Sequence, residues 1–300
     1  MKKKLISAVI TTYKRMPDMI TRAINSVLNQ TYANLELIVV DDSPADYPFR
    51  VAVKEMVEGI DDDRVKYIQH ETNQGACAAR NTGINAAKGD FIAFLDDDDE
   101  WLPDKLEKQM TKMSDKSVGL VYSGSLQYCT ATGVEKHNEC KCISGMIFDS
   151  LIRTNFVGST SFPLIRRECF DKCGGFDVLM ESSQDYELWL RISKEFKIDF
   201  IDECLVRYYI HEGEQITSSP VKKINGIERI NYLYSDYFKE HKDILGRRYA
   251  ELATHYARNN QRLKGLRYFL KGVCLNPQET HYNYRQLKNY VRAFITRSEK

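Results

Sequence analysis

Four consecutive aspartates, Asp96 to Asp99, follow directly on the apolar run Phe91-Ile92-Ala93-Phe94-Leu95. Such a run reads as a strand buried on both faces, and the carboxyl end of a strand is where open α/β sheets bind ligands. Adjacent carboxylates raise one another's pKa unless a positive charge neutralises them. A hard divalent cation with a phosphate attached would do so. The competing expectation is that Asp99 caps a helix opened near Pro103 while the other acids are solvated. Other apolar runs also end in polar groups: Thr11, Thr12 and Tyr13 after the first, Asp41, Asp42 and Ser43 after the second, and Gln74, Gly75 and Arg80 after the third. An aromatic, a carboxylate, an arginine and a metal site together suit a nucleotide diphosphate. Tyr13 can stack on a base, Asp42 can accept from a base N–H, and Arg80 can pair with phosphate. Taken singly, each has an ordinary explanation as a loop, a turn or a surface charge.

To bring these residues together, the runs must be neighbouring strands. Leu5 to Ile10, Leu35 to Val40, Val65 to Gln69, Phe91 to Leu95 and Val118 to Tyr122 read as strands. Between them lie helical patterns: one opened by Pro17 with Ile20, Ala23, Ile24, Val27 and Leu28 on one face, then Phe49 to Val57, Ala76 to Ala87 and Pro103 to Met113. This alternation predicts an α/β fold whose largely parallel sheet has helices on both faces. After Ser123 the pattern reads as irregular. It recovers with a helix at Met146 to Arg153, a strand near Thr160 to Ile165, a helix at Gln184 to Phe196, and strands at Ile198 to Ile201 and Leu205 to Ile210. Beyond Val221 only helical patterns remain, and Tyr249 to Pro277 reads as either a tetratricopeptide-type hairpin or an ordinary helical appendage.

The strings SAVITTYKR, SVLNQTY, LELIVVDDS, NQGACAARNTGINAAKGDFIAFLDDDDEW, CGGFD, SQDYELWLRI and RYYIHEGEQIT run in order from Ser7 to Thr217. With them the chain resembles a family 2 glycosyltransferase of the GT-A fold, an inverting enzyme of the bacterial polysaccharide-biosynthesis type. The resemblance implies a nucleotide-sugar-binding half at 1–122 and an acceptor-binding half at 123–220, while the helical patterns and excess of Lys and Arg beyond them read as a basic helical appendage at 221–300. It further implies that Tyr13 and Asp42 contact the uracil of a UDP-sugar, with Thr11 lining the same pocket and Arg80 approaching the diphosphate or uridine. Asp96 and Asp98 match a DXD element. Asp98 would bind Mn²⁺ or Mg²⁺ directly, and Asp96 would hold the ribose or the metal's waters. Asp97, where relatives carry a small polar residue, leaves the division of labour within the run open. Asp185 matches the general base, with Gln184 where relatives carry Glu. His211 matches a residue that reaches the metal or diphosphate in some relatives. Phe176 and Trp189 read equally as an aromatic face for a sugar or as core aromatics, and residues reading the donor sugar fall in the stretch Ser123 to Ser159. The implied activity is metal-dependent transfer from a UDP-sugar to a glycan or lipid-linked acceptor, with no nucleic-acid partner. Two alternatives are a sugar-nucleotide nucleotidyltransferase, although the loop after Ile10 lacks that class's glycines, and a non-catalytic adaptor.

A hydrophobic content of 43% supports a globular core. Lys and Arg total 43 against 42 Asp and Glu, but residues 222–300 hold 17 of the former and only 7 of the latter. The tail is therefore +10 and the rest −9, which suits contact of the tail with an anionic membrane surface or another acidic body. MKKKLISAVITTYKR imitates a signal peptide, yet its apolar stretch is too short and reads as a first strand. No stretch reaches transmembrane length. The expectation is a cytoplasmic protein, peripheral to the inner face of the plasma membrane, whose eight scattered cysteines are reduced thiols rather than a zinc site.

Overall fold

In the computed structural model the structure describes residues 4–210 and 219–295. Four apolar runs form strands β1 (Ile6–Thr12), β2 (Leu35–Asp41), β3 (Val65–Gln69) and β4 (Phe91–Asp96). They pair in parallel in the order β3-β2-β1-β4, with helices α1 (Pro17–Leu28), α2 (Arg50–Glu58) and α3 (Ala76–Ala86) as crossovers. The order turns back at β1, so the crevice beyond its carboxyl end is a topological switch point. The register brings the polar strand ends level there: Thr11 lies beside Val40 and Asp96, and Thr12 beside Asp41.

Local sequence explains these elements. Pro17 opens α1, whose Ile20, Ala23, Ile24 and Val27 are buried in the core formed with β1, β2 and β4. Gly75, at φ +88°, starts α3. One turn before its end, Gly83 lets α3 lie against β1, since a Cβ there would stand 2.3 Å from a Val9 methyl.

The sheet continues through β5 (Glu100–Trp101), helix α4 (Lys105–Lys112), β6 (Val118–Cys129), β7 (Glu135–Asn138), α5 (Phe148–Leu151), β8 (Leu164–Arg166), α6 (Arg167–Cys173), α7 (Gln184–Glu195) and β9 (Lys197–Ile210). Among the described residues the full order is β3-β2-β1-β4-β8-β6-β9-β5, with β7 on β6. The short β8 runs antiparallel between β4 and β6, while β6 and β9 are parallel. Several sequence expectations change here. The expected strand from Thr160 reduces to Leu164–Arg166, because Ser159, Thr160 and Ser161 form a turn that spends its hydroxyls on β4's acidic end. The two expected strands after Ile198 are one, since β6 pairs along their whole length with bulges between Ser123 and Ser125. The stretch after Ser123 is not irregular: it extends β6 and returns as β7. The helix expected at Met146 to Arg153 keeps only one turn.

The chain divides into two compact units, Met1–Val178 with Asp185–Glu212, and Leu179–Gln184 with Gly213–Lys300. The second consists of α8 (Pro220–Leu233), α9 (Ser235–Glu240), α10 (Lys242–Arg258), α11 (Arg262–Leu275) and α12 (Thr280–Ile295). Helices α10 and α11 form a close hairpin in which Gly246 and Gly272 face each other; a Cβ on either would meet the other's carbonyl oxygen within 2.8 Å. No helix among the described residues is long and apolar enough to cross a membrane.

Replacing Gly83 with Ala tests the α3–β1 approach. A methyl should force Val9 and the helix apart and lower stability by about 1–3 kcal/mol in urea denaturation, despite alanine's better helix propensity.

Candidate active site

The acidic run is a tight turn closed by the Asp99 amide donating to the Asp96 carbonyl at 3.0 Å. Its far side is anchored by Trp101, 1% exposed, whose indole N–H donates to the Ser161 carbonyl at 2.9 Å and whose amide donates to the Ser26 hydroxyl at 3.2 Å. Within the turn the four carboxylates have different surroundings. Asp99 is fully buried, accepting from the Ser161 hydroxyl at 2.6 Å and the Tyr209 amide at 3.3 Å. Burial, with Asp96 nearby, holds its carboxyl well above the usual range. Asp99 therefore does not cap a helix; α4 begins later, after Asp104.

Asp96 accepts from Arg80 Nη2 at 3.0 Å, from the Thr160 hydroxyl at 3.0 Å and from the Ser159 hydroxyl at 3.1 Å. Asp97 and Asp98 share one guanidinium: Arg15 Nε lies 3.0 Å from Asp97 Oδ1, and Nη2 lies 2.9 Å from Asp98 Oδ2. Burial pushes the Asp97 carboxyl up to about 6, with Arg15 opposing and Asp98 reinforcing the shift. Arg22 donates to the Asp98 carbonyl at 2.6 Å and lies over the Tyr209 ring at 3.6 Å.

Asp185 is the second residue of α7, which begins at Gln184 directly after Ser183, a residue at φ +56°. Its carboxylate accepts from the Tyr186 amide at 2.7 Å, so it also satisfies a free N–H of the first turn. Burial raises its pKa to about 6; Tyr186 and Arg80 pull it down and Asp96 pushes it up. It thus lies within the field of the Arg80–Asp96 pair. Asn81 and Arg191 brace this region. Asn81 both donates to and accepts from the Phe176 backbone, at 2.9 and 2.8 Å, and Arg191 on α7 donates to the Cys173 and Gly175 carbonyls while pairing with Glu187. A Cβ on Gly175 would stand 2.3 Å from Asn81 Oδ1.

Of the predicted residues, Thr11, Arg80, Asp96, Asp97, Asp98 and Asp185 gather here. Tyr13 is 46% exposed just after β1, with Lys14 Nζ 5.4 Å from its ring centroid. Asp42 is buried in a network of its own, accepting from the Gln74 and Gly75 amides, each at 2.8 Å, and pairing with His70 Nδ1 at 2.7 Å, while His70 Nε2 meets Thr82 Oγ1. It organises the loop before α3 in addition to any ligand contact. His211 lies outside the described residues. Phe176 and Trp189, 3% and 0% exposed, are core residues rather than sugar platforms: Phe176 packs edge-on against Phe94, and the Trp189 N–H is taken by the Gly158 carbonyl. Sequence reasoning missed Arg15, His70 and the role of Ser159, Thr160 and Ser161; the run of three hydroxyls was the available signal. The eight cysteines are free thiols.

The donor set fits a hard divalent cation held jointly with a ligand. Among the described residues no three His, Cys, Asp or Glu side chains converge on a closed metal site. Mg²⁺-type ions are commonly bound by one or two carboxylates and completed by phosphate oxygens. Arg15 already supplies a positive charge between Asp97 and Asp98.

Residues 7–174 match the model of glycosyl transferase family 2. The chain belongs to that family. It is 31% identical to WcaA of Escherichia coli K12, a glycosyl transferase named for colanic acid biosynthesis, over 86% of this chain and 90% of the relative. It is 32% identical over 66% of its length to WfgD of Escherichia coli, a UDP-Glc:α-D-GlcNAc-diphosphoundecaprenol β-1,3-glucosyltransferase, covering 73% of that protein. The crystal structure of S. aureus TarS 1–349 with UDP-GlcNAc superposes with a TM-score of 0.63 at 18% identity, over 98% of this chain and 91% of that one. The fold is thus the GT-A arrangement expected from the sequence. This family 2 chain is a glycosyltransferase, which removes the nucleotidyltransferase and adaptor readings.

The raised pKa of Asp185 has a testable sign. The unfolded carboxyl ionises near its ordinary value, so the folded form holds the proton more tightly, and stability is lost as the pH rises from about 4 through about 6. Asp185→Asn should be more stable than the parent at about pH 8, by up to about 2 kcal/mol after allowance for solvent screening, and the difference should vanish by about pH 4 in urea titrations.

Proposed function

We propose that this family 2 enzyme transfers a monosaccharide, with inversion, from a UDP-sugar to a hydroxyl of a polysaccharide or lipid-linked glycan, assisted by Mn²⁺ or Mg²⁺. The observation that carries the reading is the presence of two kinds of carboxylate around the Arg80–Asp96 pair: an acidic turn suited to a cation, and on a separate helix a carboxyl whose pKa of about 6 suits a base. The names of WfgD and WfaP, both UDP-Glc-dependent transferases acting on diphosphoundecaprenol-linked GlcNAc, and the binding of UDP-GlcNAc by TarS support the donor and acceptor classes.

Asp185 takes the proton of the acceptor hydroxyl as that oxygen bonds to the anomeric carbon. The bond from this carbon to the phosphate oxygen breaks on the opposite face, its electron pair leaving with UDP, through an oxocarbenium-like transition state. A cation bound through Asp98, with Asp96 behind it, would neutralise charge gathering on the diphosphate. Arg15 and Arg80 flank the turn and can pair with phosphate oxygens. Tyr13 stacks on the uracil beside Thr11, and Asp42 accepts from it. On this reading, residues 1–122 form the donor half, 123–220 the acceptor half, and 221–300 a basic appendage of an enzyme at the cytoplasmic face of the membrane.

Asp185→Asn should lower transfer by about 10²-fold to 10⁴-fold, and the acid limb of kcat/KM near pH 6 should disappear from any residual rate. Its binding of UDP should be unchanged; retained turnover would remove Asp185 as the base. UDP with Mn²⁺ should raise the melting temperature of the parent more than GDP, CDP or TDP, and chelator should abolish the gain. Equal shifts with all four nucleotides would refute the uracil contacts.

A further inference from the structure

The helical unit carries a charge and exposure pattern for which transfer chemistry has no use. Helices α11 and α12 together contain seven Lys and Arg and no Asp or Glu. Their buried sides are accounted for by packing within the unit. Gly265 and Gly272 of α11 approach α10, and Phe269 stacks on Tyr290 of α12 at 6.3 Å. Large apolar side chains nevertheless remain on the outer sides. Leu263, Leu266 and Leu270 recur at helical spacing on α11 and are 78, 42 and 55% exposed. Tyr284, Leu287 and Val291 recur in the same way on α12 and are 57, 39 and 43% exposed. Scattered exposed leucines need no explanation, but one stripe on each of two packed helices, interspersed with cations and free of acids, does.

We propose that the outer face of α11 and α12 docks this enzyme on an anionic lipid bilayer. The occupant follows from the charge. A protein partner or a second copy of this chain would have to match seven cations with acids, and a second copy offers none on the same helices. A bilayer bearing anionic headgroups satisfies both features at once. Headgroup phosphates meet the Lys and Arg side chains of the two helices, and the apolar stripes enter the boundary between headgroups and acyl chains. Because neither stripe approaches the length of a membrane span, the contact is interfacial and reversible. The inference rests on the helical unit and not on the proposed donor or acceptor.

The test is flotation of the full chain with vesicles of pure phosphatidylcholine and with vesicles containing about one third phosphatidylglycerol. Binding should be confined to the anionic vesicles and fall at least tenfold when salt is raised from low to near-molar concentration, where charges are screened beyond a few ångströms. Leu266→Asp with Leu270→Asp, and separately Lys264→Glu with Arg267→Glu, should each reduce binding at least tenfold. Both variants should keep the parent's melting temperature and its UDP response, which separates lost docking from lost folding. Equal binding to both vesicle types, or anionic binding untouched by both variants, would overturn the proposal. So would a parent that floats with neither vesicle and whose dimer, measured by light scattering, is dissociated by the leucine variant; this face would then join two copies of the chain.

Discussion

Four adjacent carboxylates can occupy one turn only if the charge of each is balanced or suppressed, and the rest of this candidate site is arranged around that constraint. Asp99 is removed from water and bonded to Ser161, Asp96 is surrounded by Arg80 and two hydroxyls, and Asp97 and Asp98 share Arg15. The buried Trp101 fixes the far side of the turn to β9 through the Glu100–Arg207 and Trp101–Val206 pairing. Left unpartnered, any of these acids would cost several kcal/mol or take up a proton. The partners come from the loop after β1, from α3 and from the loop before β8, so balancing the charge also sets the positions of these segments relative to β4.

The same economy explains how Asp185, on a different helix, is held within the field of the Arg80–Asp96 pair. Asn81, next in sequence to Arg80, holds the Gly175-Phe176 backbone on both its N–H and its carbonyl. Arg191 grips the neighbouring carbonyls from α7 while Glu187 fixes its guanidinium. Phe176 and Trp189, buried rather than displayed, make this bracing rigid. A carboxylate whose supports are packed and hydrogen-bonded keeps its orientation. The left-handed Ser183 just before α7 is the local backbone cost of the arrangement.

Much of the fold was legible because it follows local rules. The period-3.6 helices, Pro17 at the start of α1, and the continuous apolar strands of a sheet covered on both faces all leave their mark within short windows of sequence. The acids of the turn were legible for the same reason, as a buried strand ending in charge, whereas Asp185 was singled out only by the resemblance to family 2 glycosyltransferases. Strand β8 and the β6–β7 hairpin were not, because short or polar strands owe their existence to the strand beside them.

By itself, then, the chain determined which acids, arginines and hydroxyls would be present and which strand or helix would carry them, since propensity and periodicity act over a few residues. Only the tertiary structure decided how they divide the work: that Asp99 is a buried structural acid and not a helix cap, that Arg15 balances Asp97 and Asp98 across 82 and 83 residues of chain, and that Asp42 also organises the loop at Gln74 and Gly75. A hydrogen bond between distant segments leaves no periodic trace in either one. It exists because burial makes an unpartnered charge too costly, and burial is a property of the assembled fold.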